Sequence, residues 1–164
     1  EAAPLDRLAA IVEAQIGEGG PAKTDRAPAR RRSAARAEAT WRRVVNQVRA
    51  DTGLDKEGQA EVALEIVLDS LVQRLTPDEA DDLIAQLPSL LQPSLYALPP
   101  GPDKGITAHT IERELEQELA VGPSYAAQIL VGIGALIASI VSPGQMKDVR
   151  GQLPASLREV FSKA

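Results

Sequence analysis

Ala60, Leu64, Val67, Leu68, Leu71 and Leu75 recur at i, i+4, i+7, i+8, i+11 and i+15, the stripe of a helix with one face turned to a core. Shifting the chain by 66 positions lays a second stripe over the first without a gap. Ala60 falls on Ala126, Leu64 on Leu130, Pro77 on Pro143, Asp82 on Asp148 and Leu91 on Leu157, and the triplet Gln86-Leu87-Pro88 falls on Gln152-Leu153-Pro154. Apolar matches extend the register: Val67 with Ile133, Leu71 with Ile137, Leu75 with Val141, Leu83 with Val149 and Leu95 with Phe161. An internal duplication is the economical explanation.

Each copy predicts the same helices. The long helix ends near Leu75 in the first copy. Thr76-Pro77-Asp78-Glu79 then supplies a cap hydroxyl, a proline at the first helical position and a carboxylate three residues after the cap, so Thr76 and Glu79 are expected to form a capping box. Ser142-Pro143-Gly144-Gln145 repeats the arrangement. The helix so begun ends near Leu87 or Leu153, because the following proline disfavours helical geometry in the residue before it. A last turn carries Leu91 and Leu95, or Leu157 and Phe161. A shorter helix precedes each long one, roughly over residues 39–52 and 108–119, and the Pro/Gly-rich stretch from Leu98 to Gly105 reads as a stiff spacer.

Upstream the pattern thins. Leu5, Leu8, Val12 and Ile16 give a short amphipathic helix over residues 4–16, stopped by Gly17, Gly19, Gly20 and Pro21. Residues 17–35 show no apolar period and read as a mobile linker, although the interleaved alanines also allow residues 33–43 to extend the first domain helix. The expected fold is therefore all-α: a helical bundle of two pseudo-equivalent three- to four-helix units with a short N-terminal amphipathic helix on a linker. Its segments are that helix (1–20), a basic Ala/Pro/Arg linker (21–38), the first unit (39–98), a spacer (99–106) and the second unit (107–164).

This repeated unit, with its paired Gln-Leu-Pro endings, resembles the bacterial domain of unknown function family 2267 over roughly residues 41–161. The resemblance implies a small, all-helical cytoplasmic protein. It brings no reaction and no catalytic residues, and it leaves residues 1–40 outside.

Charge changes the picture at one place. The 164-residue chain has a formal net charge of −5, yet residues 23–43 carry eight basic residues against Asp25 and Glu38, about +6 locally against about −11 elsewhere. Arg30, Arg31, Arg32 and Arg36 form the centre of this insert and are the candidate phosphate-binding residues, nucleic acid or lipid head groups being the ligands such a tract attracts. Leu5, Leu8, Val12 and Ile16 are the candidate partner-binding residues.

Composition removes most chemistry. The absence of Cys excludes thiolate nucleophiles, disulfides and Cys-ligated metals, and a single His and a single Met leave little for a haem or copper site. Asp78, Glu79, Asp81 and Asp82 lack the spacing of a calcium loop and read as first-turn charge on a helix. Gly132-Ile133-Gly134 lacks the third glycine and preceding strand of a nucleotide loop and reads as close helix packing. His109, near Thr107 and Thr110 at a helix start, has no identifiable catalytic companion. The expectation is a non-catalytic protein with no catalytic, cofactor or metal residues. It acts as an interaction or scaffold module for a protein partner, with nonspecific nucleic-acid binding through the arginines as the alternative. The second long helix, apolar nearly all round, is expected to be buried, with a subunit interface in a homodimer and then membrane contact as the alternatives. No uninterrupted apolar run long enough for a membrane span is present.

Overall fold

The computed structural model describes residues 27–162. The expected helix over residues 4–16, with Leu5, Leu8, Val12 and Ile16, lies outside the described residues, as does the first part of the expected linker. The described residues form eight α-helices: α1 (Ala27–Thr52), α2 (Gln59–Arg74), α3 (Pro77–Ile84), α4 (Gln92–Tyr96), α5 (Ala108–Leu119), α6 (Pro123–Ile140), α7 (Pro143–Gln152) and α8 (Ala155–Arg158). A 3-10 turn, Ser89–Leu91, precedes α4, and no strand occurs among the described residues.

The duplication is visible as packing. Every apolar pair matched by the 66-residue shift is buried in both copies, from Ala60 and Ala126 at the start of the long helices to Leu95 and Phe161 at the end of each unit. Together they form one aliphatic core shared by α2, α5 and α6, with the lower half of α1 laid across α2 and α6. Burial of this area is the main force holding the bundle, since its short helices are marginal alone. The apolar α6 is long and apolar enough to cross a membrane by length and composition alone, a test that the core helix of a bundle also passes. Ala126, Ile129, Leu130, Ile133, Gly134, Ile137 and Ala138 on it face the core.

The two expected capping boxes form differently from the sequence reading. Ser142 Oγ does accept from Gln145 N (3.3 Å), but Thr76 makes no side-chain cap to its own helix. Its backbone N–H donates to Gln152 Oε1 (2.9 Å), and the Ser142 N–H donates to Gln86 Oε1 (2.8 Å). Glu79, instead of turning back to its own cap, accepts from the Gln145 amide of the other copy. These contacts are reciprocal: Gln86 and Gln152 are equivalent, as are Thr76 and Ser142, and Glu79 and Gln145 are each other's counterparts. Equivalent residues that exchange contacts define a two-fold relation between the copies. The glutamine of each Gln-Leu-Pro triplet thus satisfies an orphan N–H at the start of the other copy's helix. Replacing both, as Gln86→Ala with Gln152→Ala, is expected to lower stability by about 1–2 kcal/mol in urea denaturation, against about half that for either alone. A third capping signal is realised within one helix, where Thr107 Oγ1 accepts from Thr110 N and Thr110 Oγ1 accepts from Thr107 N to start α5.

The spacer is packed against the first unit. The Asp103 N–H donates to the Gln73 carbonyl (2.8 Å), and Gly101 passes so close that a Cβ there would lie 2.1 Å from the same oxygen.

Candidate interaction site

The arginine insert is where the structure departs most from the sequence reading. From Ala27 onward the expected linker is helix, continuous with the first helix of the bundle. The physical reason is local. Residues 27–39 are mainly Ala and Arg, both strong helix formers, with Pro28 at the first turn, where its missing N–H costs nothing. An apolar stripe is not required once the downstream turns are already fixed and the helix has only to propagate.

Those downstream turns hold the helix firmly. Val45 and Val48 are buried, and Trp41 and Val44 pack partly against the core. At the C-terminus, Gly53 takes the left-handed conformation (φ 77°) and its N–H closes onto Arg49 O, ending the helix. Tyr125 of α6 donates from its hydroxyl to Thr52 O (2.7 Å), tying the end of α1 to the second copy.

Before Trp41, α1 has no buried residue. Arg30, Arg31, Arg32 and Arg36 are all exposed on this half. Farther down, Arg42 pairs with Glu38 one turn earlier and Arg43 donates to Thr40 Oγ1. No acidic residue occupies the first turn, so Arg30 there, with Arg31 and Arg32 just after it, stands at the positive end of the helix dipole. At such an exposed position the dipole costs Arg30 a few tenths of a kcal/mol, about 0.3 or more, and an anion seated there relieves that cost. Sequence reasoning found these four residues by charge alone. It allowed helix only from residue 33, and what it missed is that the helix runs back to Ala27 and carries all four.

Elsewhere the described residues assemble little chemistry. Asp78 and Glu79 sit in the first turn of α3, where carboxylates complement the dipole. Burial raises the Glu79 carboxyl above its ordinary range, the Gln145 hydrogen bond opposes that shift, and Asp148 and Asp82 add to it. Glu114 on α5 is likewise raised, by desolvation first and then by Asp69 and Glu118. Among the described residues no group of three or more acidic or histidine side chains is placed to share a metal ion. His109 is exposed in the first turn of α5. Gly134 takes the close-packing role expected of it, with Val160 O 2.4 Å from where its Cβ would be, whereas Gly132 has nothing nearer than Thr52 Cγ2 at 3.4 Å.

A tandem all-helical unit sealed by reciprocal glutamine caps is the class that this fold defines. Residues 41–160 match the family described as "Uncharacterized conserved protein (DUF2267)", and the chain belongs to that family. No curated protein matches the chain. The arginine-bearing half of α1 lies before the matched region.

Proposed function

We propose that the chain is a non-catalytic interaction module of the cytoplasm. In this reading the bundle is a rigid base, and the exposed half of α1, with residues 1–26 continuing from its tip, is the contact element for a protein partner with an acidic surface. The observation that carries it is the contrast within one helix: Val45 and Val48 lock the lower half into the core, while Arg30, Arg31, Arg32 and Arg36 are exposed on an upper half with no buried residue. That half adds nothing to the core and its charges oppose the helix dipole, so its composition makes sense as a surface for an anionic ligand. Two linked contacts, the arginines and the apolar residues Leu5, Leu8, Val12 and Ile16, raise each other's effective concentration. Val131 and Ile140, exposed on α6, offer the place where a second copy would sit in a homodimer.

The test is affinity capture from nuclease-treated lysate with the full chain and with its Arg30, Arg31, Arg32 and Arg36→Ala variant. Loss of the captured protein at an unchanged melting temperature is the expected result. Equal capture by both chains overturns the reading.

The same four exposed arginines favour a second reading, sequence-indifferent binding to nucleic-acid phosphates. Four neutralised phosphates set a slope of about −3.6 for log K against log salt, a loss of roughly 150-fold between 50 and 200 mM. Fluorescence anisotropy with a labelled duplex measures it, and a flat salt dependence rejects this reading.

A further inference from the structure

The exposed half of α1 carries a single hydroxyl between Ala27 and Ala39, and it stands directly after three arginines: Arg30-Arg31-Arg32-Ser33. No other serine or threonine of the chain has arginine at both the second and the third position before it. Two come near the pattern. Thr52 has only Arg49, three before it, and Thr76 only Arg74, two before it. Both are tied into the fold, the Thr52 hydroxyl to Val48 O (2.6 Å) and the Thr76 hydroxyl to Gln152 Oε1 (3.3 Å). Ser33 is exposed.

Arginines at these two positions are what the acidic cleft of an arginine-directed protein kinase reads, since carboxylates there pair with the guanidinium forks. Such a cleft takes its substrate as an extended chain, so the acceptor must lie where the backbone can unwind. No residue of α1 before Trp41 is buried, and unwinding those turns costs helix propensity and uncovers no core. The refolded helix then provides partners for the phosphate. Arg30 and Arg36 lie three residues before and three after Ser33, one turn away on either side, where helical neighbours meet. A phosphate brings about −1.5 to −2 charges against the four positive charges of Arg30, Arg31, Arg32 and Arg36, roughly halving the charge of the arm.

We propose that Ser33 is a phosphorylation site for an arginine-directed serine/threonine protein kinase, and that its phosphate switches off the contact the arginines make. The kinase transfers the γ-phosphoryl group of ATP to Ser33 Oγ. A bond from that oxygen to phosphorus forms, the bond from the γ-phosphorus to the bridging oxygen breaks, ADP leaves, and the hydroxyl proton passes to the carboxylate base of the kinase. Phosphoserine then competes in cis for the guanidinium groups that an acidic partner would engage, and its charge repels that partner. The switch rests on the reading of the arm as an anion contact; the modification itself does not.

The test treats the full chain with Mg–ATP and the catalytic subunit of cAMP-dependent protein kinase, a probe kinase that reads arginines at these two positions, and locates the product by mass spectrometry. One phosphate at Ser33 is expected, absent from Ser33→Ala and formed about tenfold more slowly, or slower still, when Arg30 and Arg31 are replaced by Ala. Binding of a fluorescein-labelled polyglutamate peptide at low salt is then read by anisotropy. Phosphorylation is expected to weaken it about tenfold, while Ser33→Ala carried through the same treatment binds like the untreated chain. No phosphate, or phosphate elsewhere, overturns the site. Phosphate at Ser33 with unchanged binding overturns the switch. If the untreated chain does not bind the peptide, it is the reading of the arm that fails, and the switch falls with it.

Discussion

Gly134→Ala is expected to destabilise the protein by about 3 kcal/mol, lowering its melting temperature by roughly 6–12 °C. In an exposed helix the same substitution is favourable by up to about 1 kcal/mol, because alanine loses less backbone entropy. Here a methyl group would lie 2.4 Å from the carbonyl oxygen and 2.6 Å from Cγ1 of Val160. A backbone carbonyl cannot swing aside as a long side chain can, so the last turn of the second unit must lift away from α6. Gly132→Ala, two residues earlier on the same helix, is the control. Its nearest new contact is a methyl at 3.4 Å, so it should leave the melting temperature unchanged or raise it slightly. Equal effects of the two substitutions in a calorimetric scan would refute this packing.

Phe161→Ala has the largest effect expected. Phe161 is fully buried, heads the largest enclosed side chains and closes the second unit as Leu95 closes the first. Its carbonyl also accepts from Arg150 Nη1 (3.1 Å), fixing the turn that carries it. Emptying this site costs about 3–5 kcal/mol, a large share of the roughly 5–15 kcal/mol that holds a domain of this size. Urea denaturation should show a much lower midpoint at an unchanged slope. A loss below about 1 kcal/mol would mean that the last turn does not belong to the core.

Much of this architecture was legible because it is written locally. The stripe from Ala60 to Leu75, its copy on α6, and the prolines at the start of α3 and α7 each determine structure within a turn or two, and all appear where the periodicity puts them. The destination of Gln86 and Gln152 was not legible. Each caps a helix 56 or 76 residues away, and helical spacing reports only which residues share a face. For the same reason the sequence pairs Thr76 with Glu79 in a capping box, since the partner it can offer is the nearest one. The spacer's composition announced a break in helix, but nothing in it announced that Gly101 lies against the end of α2. In the arginine segment the interleaved alanines allowed helix back to residue 33, and the missing apolar stripe hid only the turns before it, which propagate from fixed neighbours. There the sequence disclosed the charge and the structure supplied its mounting.

On the proposed function, the exposed half of α1 makes the contact with a partner. Photo-crosslinking tests it most directly, with a crosslinking amino acid placed at position 32 on that half or at position 104 in the exposed spacer, and irradiation in nuclease-treated lysate. The expected result is a protein adduct from position 32 that disappears when Arg30, Arg31 and Arg36 are also replaced by Ala, and none from position 104. An adduct from position 104 alone, or one from position 32 that survives loss of the arginines, would contradict it.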